Sequence, residues 1–129
     1  MKIYIRTLLL FSILFSGAVF AYGQPYQQSS FNILLQQGKP VLLHVHAGWC
    51  PVCRAQDKVL SELMTHPEFK GLTVLEVDFD QQKPIVKALK VNYQSTLILY
   101  GGGKEVNRLA GETDSANIAA FLKTAKQGS

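Results

Sequence analysis

The chain has 129 residues, 47% of them hydrophobic and 17% charged, a composition that fits one globular domain and excludes both a two-domain chain and an intrinsically disordered one. Basic residues outnumber acidic ones 13 to 9, a formal +4, which argues for an anionic partner only if the charge belongs to the folded part. Two cysteines, Cys50 and Cys53, are too few and too close together to staple a small scaffold.

Residues 1–21 carry Lys2 and Arg6, then an apolar run from Leu8 to Phe20, then Val19 and Ala21 as a small-residue pair. This is the layout of a secretory signal cleaved near Ala21. The run is shorter than the ~20 residues of a spanning helix, so a retained anchor is the weaker reading. No cysteine lies near the cleavage point, which excludes a lipid-modified terminus. Without Lys2 and Arg6 the basic residues fall from 13 to 11 against 9 acidic ones, a net +2. The case for a nucleic-acid partner goes with them, and the three lysines Lys83, Lys87 and Lys90 read as one solvated helix face. Export to the periplasm or beyond also places the cysteines where disulfides persist.

Residues 22–30, polar and rich in Gln, read as an extended leader before a domain spanning 31–126. Phe31 to Gln37 reads as a short helix capped by Ser29 or Ser30 and stopped by Gly38 and Pro40. Val41 to His46 is a strand apolar enough to be buried on both faces. A helix starts at Cys50, with Val52, Ala55, Val59, Leu60, Leu63 and Met64 as its apolar face. Leu72 to Phe79 is the next strand, Pro84 opens a helix through Leu89, and Thr96–Tyr100 and Val106–Ala110 form a hairpin around three glycines. Asp114 caps a last helix carrying Ile118, Phe121 and Leu122. This order describes an α/β domain with a mixed sheet covered on both faces.

Trp49-Cys50-Pro51-Val52-Cys53 stands at a strand-to-helix junction. There the first sulfur meets the free N–H groups and the positive dipole end of a helix, which favour a thiolate. The i, i+3 spacing brings the second sulfur to the same face. Cys50 is therefore the candidate exposed nucleophile and Cys53 the shielded resolving thiol. A permanent bridge closing so small a loop adds little chain entropy. A structural zinc site lacks a second ligand pair, and Arg54 excludes covalent haem attachment, which needs histidine there.

The run KPVLLHVHAGWCPVCR, with LTVLEVDFD and VNYQSTLILYGGGKEVNRLAGE after it, resembles the thioredoxin superfamily from about Phe31 to Lys126. The resemblance implies a central mixed sheet between helices and a thiol–disulfide oxidoreductase that needs no cofactor beyond its redox-active disulfide. It implies protein thiols and disulfides as partners, with a membrane electron donor or acceptor, and a monomeric enzyme. Trp49, Pro51, Gln94, Ser95 and Thr96 take the substrate-facing positions. Three departures stand out. Ser95 occupies the place of the family's cis-proline; a non-proline cis bond costs ~2.5–4 kcal/mol, so a trans Gln94–Ser95 peptide is expected, with the serine hydroxyl available to a sulfur or a metal. His44 stands where the family has a buried aspartate, and Glu76 where it has the accompanying lysine. A buried His44–Glu76 pair beneath Cys53 follows, with His44 as proton acceptor when that thiol attacks; a core histidine without a catalytic part is the plainer alternative. Pro51-Val52 places proline first, as glutaredoxins and periplasmic oxidants do, but Val52 puts no histidine inside the motif to stabilise the Cys50 thiolate, and the reading leans to a reductase or isomerase partner. The competing function is a copper-binding module using Cys50, Cys53 and His46 as soft ligands.

Overall fold

A computed structural model of the chain describes residues 22–128; residues 1–21, read above as a secretory signal, lie outside the described residues. In chain order the elements are β1 (Gly23–Pro25), α1 (Gln28–Gln36), β2 (Val41–His46), α2 (Pro51–Leu63), a 3₁₀ turn (Pro67–Phe69), β3 (Thr73–Asp78), α3 (Lys83–Ala88), β4 (Thr96–Gly101), β5 (Lys104–Ala110), α4 (Ser115–Lys123) and a closing 3₁₀ turn (Thr124–Gly128). They build one five-stranded sheet in the order β1-β3-β2-β4-β5. The strands β1, β3 and β2 run parallel, while β4 and β5 are antiparallel to their neighbours. Among the described residues no helix is long and apolar enough to cross a membrane.

Alternation along the central strands divides the core. Leu43, Val45, Leu75, Val77, Ile98 and Tyr100 join Phe31 of α1 and Val86 of α3 on one side. Leu42, Val74, Leu97 and Leu99 meet Leu60 and Leu63 of α2 and Ile118, Phe121 and Leu122 of α4 on the other. This is why β2 reads as an unbroken apolar run: neither face meets water. His44 belongs by register to the second face, opposite Glu76 on β3 and Leu97 on β4.

Three differences from the sequence reading have local causes. Part of the segment read as a leader is a sheet strand: Gly23, Gln24 and Pro25 pair with Val74, Leu75 and Glu76. At the edge of a sheet a strand of three residues with a proline is tolerated, and its shortness hides it from pattern reading. Helix α1 then starts at Gln28, with Gln27 as an N-cap that makes no side-chain bond. Its start is set by Tyr26, whose N–H donates to Glu76 O at 2.8 Å and whose ring meets Phe31. Finally, the buried stripe of α2 is Cys53, Gln56, Leu60 and Leu63, while Val52 is exposed. The helix is turned about its axis relative to the expected face because Cys53 packs inward.

The hairpin and the last helix form as read. Gly101 pairs with Lys104, leaving the two-residue loop Gly102-Gly103 with φ of 60° and 84°, the conformation that suits the twist of a tight hairpin and that glycine adopts freely. Asp114 Oδ1 accepts the Asn117 N–H at 2.9 Å and so caps α4.

Candidate active site

The C-terminal ends of β2 and β3 and the N-terminal end of β4 lie at one edge of the sheet, and the loop after β2 carries the cysteines there. Cys50 is the N-cap of α2 and Pro51 its first residue, a place where the missing proline N–H costs nothing. The Cys53 N–H donates to Cys50 Sγ at 3.1 Å, so the first sulfur takes one of the free donors of the helix end. The two cysteines are joined as a disulfide, with Cα atoms 5.2 Å apart, and pack with Ala47 and Phe79. Cys50 is 2% exposed and Cys53 1%. The expectation of an exposed Cys50 is thus corrected: in the disulfide form both sulfurs sit inside this small apolar cluster, and the exposed groups beside them are Trp49, at 59%, and Val52. Trp49 is held by its indole N–H, which donates to Asp80 Oδ2 at 2.7 Å.

No peptide bond among the described residues is cis, so Gln94–Ser95 is trans. Ser95 instead adopts φ 62°, the left-handed region that L-residues enter at a cost of roughly 1–2 kcal/mol. Its hydroxyl makes no hydrogen bond to either sulfur among the described residues. Its carbonyl accepts from Gly111 N–H at 3.0 Å and from Gln56 Nε2 at 3.0 Å, and the Thr96 hydroxyl donates to Tyr93 O at 2.7 Å. Ser95 and Thr96 are buried, and exposed aromatic surface on this loop comes from Tyr93, at 68%. Tyr93, Gln94, Ser95, Ala110 and Gly111 line a shallow groove there.

Beneath α2 the polar residues pair differently from the expected His44–Glu76 couple. His44 is fully buried. Its Nε2 lies 3.0 Å from Gln56 Oε1 and its Nδ1 3.4 Å from Asp57 Oδ1. Glu76 faces His46 instead, with Oε2 3.7 Å from Nε2, and the two imidazoles stack with centroids 5.4 Å apart. The cause is the edge strand. A Cβ on Gly23 would stand 2.7 Å from Glu76 Oε1, so the bare glycine leaves room for the carboxylate above β1, toward the rim where His46 lies. The Tyr22 hydroxyl closes the cluster by donating to Asp57. Burial works to raise the Asp57 pKa, but the His44 ring beside it, the hydrogen bond from Tyr22 and the nearby His46 outweigh it and hold the carboxyl below its usual range. The Tyr22 phenol is pushed up by burial and by its bond to Asp57.

The copper-module reading is not supported by this arrangement. Cys50, Cys53 and His46 do not form a set of potential ligands; among the described residues the one group of three whose donor atoms come within 4.8 Å is His44, Asp57 and Glu76, an acid–base cluster bordered by Gln56, Tyr22 and His46. Sequence reasoning missed Gln56, Asp57, Tyr22 and Asp80. Gln56 left a trace, since a glutamine three residues after Cys53 and four before Leu60 falls on an inward stripe; the signal was lost with the rotation of that face.

The thioredoxin family model matches residues 24–124. The chain is 32% identical over 92 residues to thioredoxin Asp f 29 of Aspergillus fumigatus, covering 70% of this chain and 84% of that protein. It is 38% identical over 82 residues to the thiol:disulfide interchange protein DsbE of Escherichia coli K12, covering 62% of this chain and 40% of DsbE, so it spans about two-fifths of that relative's length. Among solved structures, Trxlp from Edwardsiella tarda is 42% identical with a TM-score of 0.76, covering 78% of this chain and 97% of that one, while the Malassezia sympodialis thioredoxin, at 19% identity and a TM-score of 0.71, shares the fold. Proteins of this family use the cysteine pair itself as redox centre, without an external cofactor. The geometry of Cys50 and Cys53 at the head of α2 and these likenesses agree, and the chain belongs to the thioredoxin family of thiol–disulfide oxidoreductases.

Proposed function

We propose that the protein is exported and acts on the cysteines of other proteins as a reductase or isomerase partner, re-reduced by a membrane electron donor. The single observation that carries the thiol–disulfide chemistry is the Cys53 N–H donated to Cys50 Sγ at a helix N-terminus, an environment that makes the first cysteine the attacking thiolate. In the reduced enzyme the Cys50 thiolate attacks a substrate disulfide, forming a mixed disulfide and releasing one substrate thiolate. Cys53 then loses its proton and attacks Cys50 Sγ; the mixed disulfide breaks, the second substrate sulfur leaves with the electron pair, and the enzyme ends as the Cys50–Cys53 disulfide. The substrate gains two electrons and the donor restores them.

The exposed indole of Trp49, Pro51 and the groove at Gln94 and Ser95 form the docking rim, with Tyr93 and Val52 adding apolar surface. Thr96 supports this loop through its bond to Tyr93 O rather than by offering free surface. His44 is the proton acceptor when Cys53 attacks. Gln56 lies one turn after Cys53 on the same buried stripe and touches the ring, which sets the imidazole under the helix segment that carries the resolving thiol. Glu76 acts indirectly, through His46. Val52 in place of a thiolate-stabilising histidine inside the motif supports the reducing direction, and the layout of residues 1–21 supports export.

The test is a Cys53→Ser variant of the exported protein. It should accumulate mixed disulfides with substrate proteins, whereas Cys50→Ser should trap none; equal trapping by both variants defeats the assignment. The potential of the wild-type couple should lie nearer about −270 mV than about −120 mV, a span of roughly 7 kcal/mol for two electrons. A value at the oxidising end reverses the proposed direction.

A further inference from the structure

We propose that Gln56 is a positioning residue that determines which nitrogen of His44 receives the proton shed by Cys53, and that Asp57 stabilises it there. The inference rests on the reading of His44 as proton acceptor. It begins with the glutamine, which is fully buried and whose side chain touches three parts of the fold. Its Nε2 donates to Ser95 O at 3.0 Å and to Glu112 O at 2.9 Å, which uses both amide hydrogens. A flipped amide would set Oε1 against two carbonyl oxygens and leave a fully buried side chain with its donors misplaced, so the orientation is forced. Oε1 therefore faces His44 Nε2 and can only accept. Nε2 must carry a hydrogen in every protonation state of the ring, and neutral His44 is the Nε2–H tautomer.

The basic lone pair then lies on Nδ1. This is the one buried side-chain nitrogen or oxygen among the described residues with no hydrogen-bond partner, and it stands 3.4 Å from Asp57 Oδ1. Two bare acceptors facing each other across that gap lack the hydrogen that would join them. The redox cycle supplies it. When Cys53 attacks, its S–H bond breaks; the electron pair forms the bond to Cys50 Sγ, and the proton ends on Nδ1. The imidazolium so formed meets a carboxylate already in place. Asp57 retains 37% of its side-chain exposure, which gives the proton a way out to solvent, where the departing substrate thiolate collects one in exchange. The other groups around the ring are His46, stacked upon it from β2, Glu76 beside it on β3, and Tyr22, whose hydroxyl holds Asp57; β4 contributes Leu97, which is uncharged. The carbonyl of Ser95 joins the same amide, so the loop at the docking rim and the tautomer of the buried base share one anchor.

Imidazole ¹⁵N spectra of the full chain and the pH profile of mixed-disulfide resolution test this together. In the wild type, neutral His44 should show a protonated Nε2 and an unprotonated Nδ1. Gln56→Met, similar in volume but unable to accept, should abolish that preference and slow resolution by up to about 100-fold, the cost of a reacting group misplaced by about 1 Å. Asp57→Asn, on a half-exposed helix face, should keep the Nε2–H signal yet shift the pH profile of resolution toward acid, and it preserves the test if Gln56→Met does not fold. A neutral Nδ1–H tautomer in the wild type overturns the proposal, as does a Gln56→Met or Asp57→Asn profile superimposable on the wild type. The underlying reading fails separately: a His44→Gln variant resolving at the wild-type rate removes the base while the ¹⁵N spectra still report whether Gln56 sets the tautomer.

Discussion

Ser95 shows at the scale of one residue how a missing proline is absorbed. Where a cis bond would bend the chain, this loop keeps a trans peptide and bends at φ 62°. Replacing Ser95 by glycine relieves the left-handed strain and should stabilise the protein by up to about 1 kcal/mol, less the entropy gained by the unfolded chain. Ser95→Pro forces φ toward −65°, which the native loop does not have, and should destabilise by more than about 1 kcal/mol; urea midpoints of the two variants check the opposite signs. The trans peptide was legible from the energy of cis amides alone. The fate of the serine hydroxyl was not, because the hydrogen bonds of this loop pass through the backbone carbonyls of Ser95 and Tyr93, which residue type does not reveal. The same limit applies to His44: its burial could be read from the strand around it, but its partners lie 12 and 13 positions on, in a helix whose rotation decides which side chains look inward.

Helix α2 carries that lesson at the scale of an element. Apolar periodicity placed Val52 and Ala55 inward, yet the buried stripe is Cys53, Gln56, Leu60 and Leu63. Hydrophobic pattern weighs side chains by type, while the fold weighs them by what they must reach: a sulfur for the active site and an amide for three hydrogen bonds. Below the polar turn the stripe is ordinary core. Leu60 is fully buried among residues of β2, β4 and α4, so Leu60→Ala should cost about 2–5 kcal/mol, read as a lower denaturation midpoint with the thiol chemistry unchanged. The paired faces of β2, the glycine hairpin and the Asp114 cap were all legible in the sequence, since each follows from a local rule. Strand β1 was not, since three residues carry no period, and what makes them a strand is the free edge of β3.

For the molecule as a whole, charge and pH follow from the cluster under α2. The Asp57 carboxyl titrates lower in the folded protein than in the unfolded chain, although burial alone would raise it, because the His44 ring lies beside the ionised form and Tyr22 bonds to it. A depressed carboxyl contributes stability that is present above the unfolded value near 3.9 and is lost as pH falls through the folded one. Stability should therefore drop below about pH 4, and Asp57→Asn should flatten part of that acid limb; because the group is more than a third exposed, the effect is screened by salt. At the other extreme, burial pushes Tyr100 up to about 12, with Glu105 adding to the rise. The unfolded chain releases that proton first, so stability declines as pH climbs above about 10, a limb that tyrosinate absorbance and thermal melts can follow together.

The edge strand carries a consequence for the order of events in time. Its first sheet residue is Gly23, and Tyr22 before it already bonds to Asp57, so the fold begins immediately after the position where the export reading places cleavage. A peptidase needs several residues of extended chain on either side of the bond it cuts. If the chain is cleaved near Ala21, cleavage is expected before β1 docks on β3, because a folded precursor would hold Tyr22 and Gly23 in place instead of offering them as free extended chain. Maturation and the last step of sheet assembly would be ordered events, with the arrival of Tyr22 over the acid–base cluster as the later one.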